Sequence, residues 1–160
     1  MKDALKSELV AIVAASLEQL ERAQSAAVEG ATHEEAKPEN DKDTRALEQS
    51  YLARGQSMRI EELRDALAEL RATTTRAFAE DAPIARGALV ELEEEEGRRT
   101  TRRLVWIAPA GGGTALAEGR VHVVTPKSPL GRELLGKKAG DEIEIAIAGK
   151  TRVATVLSVG

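Results

Sequence analysis

The chain has no cysteine. Disulfide staples and thiolate metal sites are therefore excluded, and a reducing cytosol is the compartment this composition suits. Aromatic residues are almost as scarce: Tyr51, Phe78 and Trp106 make up 2% of the 160 residues. Any core must therefore be built from Leu, Ile, Val and Ala. No stretch approaches the ~18 apolar residues needed to span a bilayer. The N-terminus, MKDALKSELVAIVAASLEQL, carries acids early, where a signal peptide would be basic and then continuously apolar. A positive charge balance is missing too. The formal net charge of −4 argues against bulk electrostatic binding to nucleic acid or to an anionic membrane, although a local basic patch can still touch a phosphate. A soluble cytoplasmic protein with no membrane partner is the expectation.

Proline and glycine are absent from long stretches, and their distribution divides the chain. Residues 1–80 contain one proline, Pro38, and two glycines, Gly30 and Gly55; the other four prolines and eleven glycines follow. The first half therefore permits long helices, and the second reads as strands and turns. Around Ala72–Pro83 three threonines disfavour helix and Pro83 stops it.

What is present in the first half is helical periodicity. Leu5, Leu9, Ile12, Leu17, Leu20 and Ala27 fall near one face of an arm over residues 2–28. Leu47, Tyr51, Met58, Ile60, Leu63, Leu67 and Leu70 do so for an arm over residues 41–71. Each arm has a single apolar stripe and needs a partner, so an antiparallel coiled-coil hairpin is expected. About thirty residues at ~1.5 Å each make a rod of about 45 Å. In the second half, strands are expected at 87–96, 102–109, 120–126, 141–148 and 151–159, with a tight hairpin at Gly149-Lys150. Ser128 and Pro129 read as the cap and first residue of a short helix in SPLGRELL. The predicted fold class is α+β: a helical hairpin over residues 1–75, a linker at 76–84, and a small antiparallel sheet domain with one short helix over 85–160.

The far end of the hairpin holds THEEAKPENDKD, residues 32–43, with five carboxylates and two lysines. Like charges so close repel, and they become favourable together when a cation arrives. Carboxylates are hard oxygen donors of the kind Mg²⁺ prefers. A plainer alternative is a solvated turn in which Asn40 or Asp41 caps the second helix. The basic residues also have plain roles available. Arg98, Arg99, Arg102 and Arg103 can pair across a hairpin with Glu93–Glu96. The arginines of the second arm can pair with acids one turn away, with Arg45 and Arg54 left open because they lie nearest the acidic stretch. The triple glycine 111–113 lacks the Lys-Ser/Thr and the helix that a phosphate loop requires. The near absence of aromatics argues against a prolyl isomerase pocket.

The stretch VVTPKSPLGRELLGKKAGDEIEIAIAGKTRVATVLSV, with Ser128-Pro129, Gly131, Leu134-Leu135-Gly136-Lys137 and Gly140-Asp141 in order, resembles the C-terminal domain of the bacterial Gre transcript-cleavage factors. Pro38-Glu39-Asn40 resembles the tip segment of that family's coiled coil. The resemblance implies an FKBP-like C-terminal domain and an accessory factor of bacterial RNA polymerase, with no independent enzyme activity. The C-terminal domain would dock on the rim of the secondary channel through Lys127, Ser128, Pro129, Gly131, Arg132 and Leu135. The hairpin would enter the channel and bring Glu39 and Asp41, with Glu35 and Asp43 as further candidates, to the polymerase active site and the nascent RNA 3′ end, where Arg45 and Arg54 are candidates for RNA phosphate. No cofactor would be stably bound. Mg²⁺ would be shared with the polymerase, with Glu39 and Asp41 as metal-facing groups only in that complex, and DNA would be met only through the elongation complex. Two positions depart from the family pattern: Ala36 stands where an Asp is usual, and Lys127 where some members carry an acid. A channel-binding regulator that does not stimulate cleavage is the alternative.

Overall fold

The computed structural model describes residues 1–33 and 44–160. Two long helices come first, α1 (Lys2–His33) and α2 (Thr44–Ala72). Six strands follow: β1 (Leu89–Glu96), β2 (Arg99–Ile107), β3 (Ala115–Leu116), β4 (Val121–Val124), β5 (Glu142–Ile147) and β6 (Lys150–Val159). A short helix, α3 (Pro129–Leu134), lies between β4 and β5. The chain divides into two compact units: Ala11–Ala68, and Met1–Val10 with Glu69–Gly160.

The helical unit is an antiparallel pair. Arg64 Nη2 reaches Glu21 at 2.6 Å and Gln24 Nε2 donates to Ser57 Oγ at 2.8 Å, so rising numbers on α1 meet falling numbers on α2. Along α1 the buried residues step by four: Leu5, Leu9, Val13 and Leu17. Val13 thus replaces the expected Ile12, which is exposed. On α2 the seam consists of Ile60, Leu67 and Leu70, all buried, with Leu63 half-buried. Leu47, Tyr51 and Met58, expected in the same stripe, are exposed. The reason is angular. At about 100° per residue, Leu47, Tyr51 and Met58 share one side of the helix, and Ile60 and Leu67 lie on the other.

The other unit is built on one sheet, ordered β3-β4-β2-β1-β6-β5. Every pair is antiparallel except β2–β4. That parallel junction follows from the connection. The chain leaves β2, forms the short edge strand β3, and turns back to insert β4 between them. A parallel neighbour needs a connection of about a dozen residues, which this loop supplies. Val90 and Leu92 on β1, Val105 and Ile107 on β2, Ile143 and Ile145 on β5, and Ala154 and Val156 on β6 form the core with Leu134 of α3. Each buried aliphatic side chain of this kind contributes roughly 1.5–3 kcal/mol. The turn between β5 and β6 falls on Ala148-Gly149, one residue earlier than expected, with φ of 50° and 76°. Positive φ at both positions is the type I′ geometry that suits strand twist, and Ala148 adopts it without glycine's freedom.

The first turns of α1 are tied into this same unit. Lys6 Nζ donates to the carbonyls of Arg71 and Thr73 at 2.9 and 2.5 Å, giving a cation to the carbonyl end of α2. The Glu8 carboxylate accepts the Ala117 N–H at 3.0 Å, and Leu9 lies against Gly111, where an added Cβ would sit 2.7 Å from its Cδ1. Lys2 donates to the Arg76 carbonyl, and Lys2 and Arg76 each stand 4.7 Å from the Phe78 ring centre. Burial first, and then the Arg76 charge, push the Lys2 ammonium below its ordinary value. No described helix is long and apolar enough to cross a membrane.

Candidate functional site

Glu35, Ala36, Glu39, Asp41 and Asp43 lie outside the described residues. Arg45 and Arg54 are on α2 and exposed. Among the described residues no cluster of three or more His, Asp or Glu side chains could hold a metal ion. The expected site residues within reach of description are those of the block from Thr125 to Asp141.

This block is locally over-determined. Ser128 has extended backbone angles, and its hydroxyl donates to the Thr125 carbonyl at 2.8 Å and accepts the Gly131 N–H at 3.0 Å. That satisfies one of the orphan donors at the start of α3. Pro129 follows at the first helical position, where no N–H is needed. Gly131 is buried directly on the Thr125 carbonyl: an added Cβ would sit 2.0 Å from that oxygen. At the far end the Leu135 N–H returns to the Gly131 carbonyl, and Gly136, at φ 81°, reverses the chain. Gly136 N–H then donates to the Ile84 carbonyl at 2.8 Å, and Ile84 N–H to the Lys137 carbonyl at 2.7 Å. Asp141 accepts the Lys138 N–H at 2.8 Å, and Gly140 and Asp141 exchange backbone bonds with Val156.

These bonds sort the expected docking residues into two groups. Ser128 and Gly131 are used internally to seat α3. Lys127, Pro129, Arg132 and Leu135 are exposed and face outward from a rigid support. Arg132 is steadied by its Nε–H, which donates to the Lys127 carbonyl at 3.0 Å. Two cations and two apolar side chains on a fixed turn can grip a protein surface through charge and burial together. Thr125 and Ile84 complete the site and were not foreseen. The Thr125-Pro126 step was the available signal for Thr125, because a residue before proline is held extended and its carbonyl is free to accept.

The arginines mostly follow the plain reading. Arg102 Nε donates to Glu93 at 2.7 Å, Arg103 Nη2 lies 2.5 Å from Glu94 Oε1, and Arg152 Nη2 lies 2.7 Å from Glu96. The hydrogen bond that Arg102 donates to Glu93, and then the Glu93 charge, raise the Arg102 guanidinium further above its ordinary value. On the helices Arg59 pairs with Glu62 at 3.4 Å as foreseen, and Arg64 crosses to Glu21 on α1.

The family model for the C-terminal domain of the transcription elongation factors GreA/GreB matches residues 80–160. Among solved structures, the chain is similar to GreA factor homolog 1 (Gfh1) of Thermus thermophilus, at 21% identity over 94% of each chain with a TM-score of 0.41. It is similar to Thermus aquaticus Gfh1 at 22% identity over 92% of this chain and 90% of that one, with a TM-score of 0.42. The prokaryotic transcription elongation factor GreA/GreB from Nitrosomonas europaea matches at 20% identity over 61% and 78% of the two chains, with a TM-score of 0.37. No curated protein matches the sequence.

Proposed function

Because the chain belongs to the GreA/GreB family of transcription elongation factors, we propose that it binds bacterial RNA polymerase and stimulates cleavage of backtracked RNA. In this reading the hairpin of residues 1–75 inserts into the secondary channel, and the domain of residues 85–160 docks on its rim. The observation that carries it is the family match over residues 80–160, in a chain whose preceding half holds an acidic stretch between two long antiparallel helices. The exposed set Lys127, Pro129, Arg132 and Leu135 supports docking, since its backbone is fixed before any partner arrives.

Glu39 and Asp41 are the acids assigned to the polymerase active site. Their role is to present carboxylate oxygens beside the RNA 3′ end. Mg²⁺ shared with the polymerase would lower the pKa of a bound water and stabilise the departing oxygen. The chain supplies ligands and position, and the polymerase supplies the reaction. A second reading, occupancy of the channel without cleavage, is favoured by Ala36, which carries no carboxylate, and by the cation at Lys127.

A pull-down with core polymerase tests the shared premise, and the restart of arrested complexes separates the readings. The first reading predicts restart by the wild-type chain, and binding without restart by Glu39→Ala/Asp41→Ala. Competition with a cleavage factor for the polymerase, without restart, establishes the second. Failure to bind polymerase removes both.

A further inference from the structure

The segment that follows α2 carries positive charge that its surroundings do not neutralise. Lys2 and Arg76 each stand 4.7 Å from the centre of the Phe78 ring, and Lys2 donates to the Arg76 carbonyl. A cation gains from an aromatic face, but two of them at one ring repel each other. The Lys2 ammonium registers this: burial first, and then the Arg76 charge, hold it below its ordinary value. Among the described residues Arg76 meets no carboxylate. Asp3, beside Lys2 in the chain, accepts the Thr75 hydroxyl instead.

Arg76 also lines a hollow of about 370 Å³ with Glu69, Ala72, Thr73, Thr74 and Arg86. All six residues belong to the unit built on the sheet. The volume is at the lower end of the range for small-ligand sites. Arg86 Nη1 lies 2.5 Å from Glu69 Oε1, with 55% and 46% of the two side chains open to solvent. An ion pair so exposed is weak, and a better anion can replace the carboxylate. Thr73 Oγ1 donates to the Glu69 carbonyl at 2.8 Å, whereas Thr74 is exposed and its hydroxyl has no partner among the described residues. The carbonyl end of α2 would repel an anion, but Lys6 Nζ already covers the Arg71 and Thr73 carbonyls.

The lining therefore sets two guanidinium forks and a free hydroxyl against one carboxylate. Planar forks match phosphoryl oxygens through paired N–H donors. A single carboxylate would only exchange with Glu69, whereas a diphosphate has the charge and the oxygens to engage both forks together. No aromatic residue lines the hollow, and Phe78 is engaged by Lys2 and Arg76, so the site reads phosphate and not a nucleobase.

We propose that this hollow binds phosphoryl groups, with Arg76 as the free anchor, Thr74 donating its hydroxyl, and Arg86 passing from Glu69 to the ligand. The site goes beyond the polymerase reading and uses none of the residues assigned to docking. A free diphosphate and the phosphodiester backbone of a nucleic acid share this chemistry, and the arms of one titration distinguish them.

The ¹⁵N-labelled full chain is titrated in metal-free buffer with inorganic pyrophosphate, with octauridylate and with potassium chloride, and followed by NMR. Pyrophosphate is expected to move the amide signals of Thr73, Thr74 and Arg76 saturably, and chloride to leave them in place. Arg76→Gln should weaken pyrophosphate binding by about tenfold. Glu69→Gln removes the competing carboxylate and frees Arg86, and should tighten binding by about threefold. Both positions are exposed, and the Trp106 fluorescence transition in urea verifies that each variant is folded. A damaged fold would not bind more tightly, so the opposite signs separate a binding role from a structural one. Octauridylate binding with the same two variant effects supports the site and makes nucleic acid a source of the phosphate. No saturable shift with either phosphate ligand, the same signals saturating with chloride, Arg76→Gln binding as wild type does, or Glu69→Gln binding no tighter would each overturn the proposal.

Discussion

Replacing Gly131 with alanine adds one methyl group at the most constrained point of the block from Thr125 to Asp141. The new Cβ would lie 2.0 Å from the Thr125 carbonyl oxygen, 2.9 Å from its carbon and 3.0 Å from Ser128 Oγ. A comfortable carbon–oxygen approach is about 3.3 Å or more, so the backbones must part by more than an ångström. Neither neighbour is the free end of a flexible side chain. Thr125 is held by the Ser128 hydroxyl and by the Ser128 N–H at 3.0 Å, and α3 is held by Leu134 in the core. Overpacking of this kind costs roughly 1–3 kcal/mol. Loss of the Ser128 cap adds about 1 kcal/mol, and alanine's helix propensity returns at most about 1 kcal/mol. The expected destabilisation is about 2–3 kcal/mol, or roughly 10–20 °C in Tm for a unit of this size. Trp106, the only tryptophan and 1% exposed, reports unfolding of the sheet unit by fluorescence in urea. A Gly131→Ala midpoint within about 0.5 kcal/mol of wild type would refute the reasoning, because it would mean that α3 is not seated on the Thr125 carbonyl.

Other perturbations have distinct expected signs. Gly55, exposed within α2 with nothing within 4 Å of an added Cβ, should accept alanine with a gain of about 0.5–1 kcal/mol, read by circular dichroism in urea. Glu94→Ala leaves the Arg103 guanidinium half-buried without its partner; because Arg103 is 30% open to solvent, the loss should be about 1–3 kcal/mol, below that of a fully buried pair, by the Trp106 urea transition. Lys2 has its pKa lowered on folding, so the unfolded chain binds more protons between the lowered value and 10.5, and stability should rise with pH in that window. Lys2→Met should flatten that rise in urea melts at graded alkaline pH.

Scarcity carried much of what could be foreseen. Two long helices follow from a first half almost free of proline and glycine, and the strands follow from alternation in VELE, EIEIAI and VATVLSV. Residues that packing alone decides were less legible. Met58 and Ile60 are two positions apart and both apolar, and only the partner helix determines that Ile60 is buried and Met58 is not. The strand β3 is two residues long, too short for any period, and the parallel β2–β4 junction is a property of the connection rather than of either strand. In the block from Thr125 to Asp141, Ser128 and Pro129 announced the helix, but Gly131 gave no sign of the Thr125 carbonyl beneath it. Cross-strand pairing of Arg103 with an acid of Glu93–Glu96 was expected, but not the face on which its pair with Glu94 lies. Parity would have placed it with Leu92 and Val105 on the core side, where its cost differs.

The measurement closest to the central claim is the rate of RNA 3′-end cleavage in a stalled backtracked complex, taken across Mg²⁺ concentration with and without the chain. The account predicts that the wild-type chain accelerates cleavage and lowers the Mg²⁺ needed, and that Glu39→Ala/Asp41→Ala binds polymerase equally well but does neither. A bound wild-type chain that leaves the Mg²⁺ profile unchanged, or a double variant as active as wild type, would contradict it.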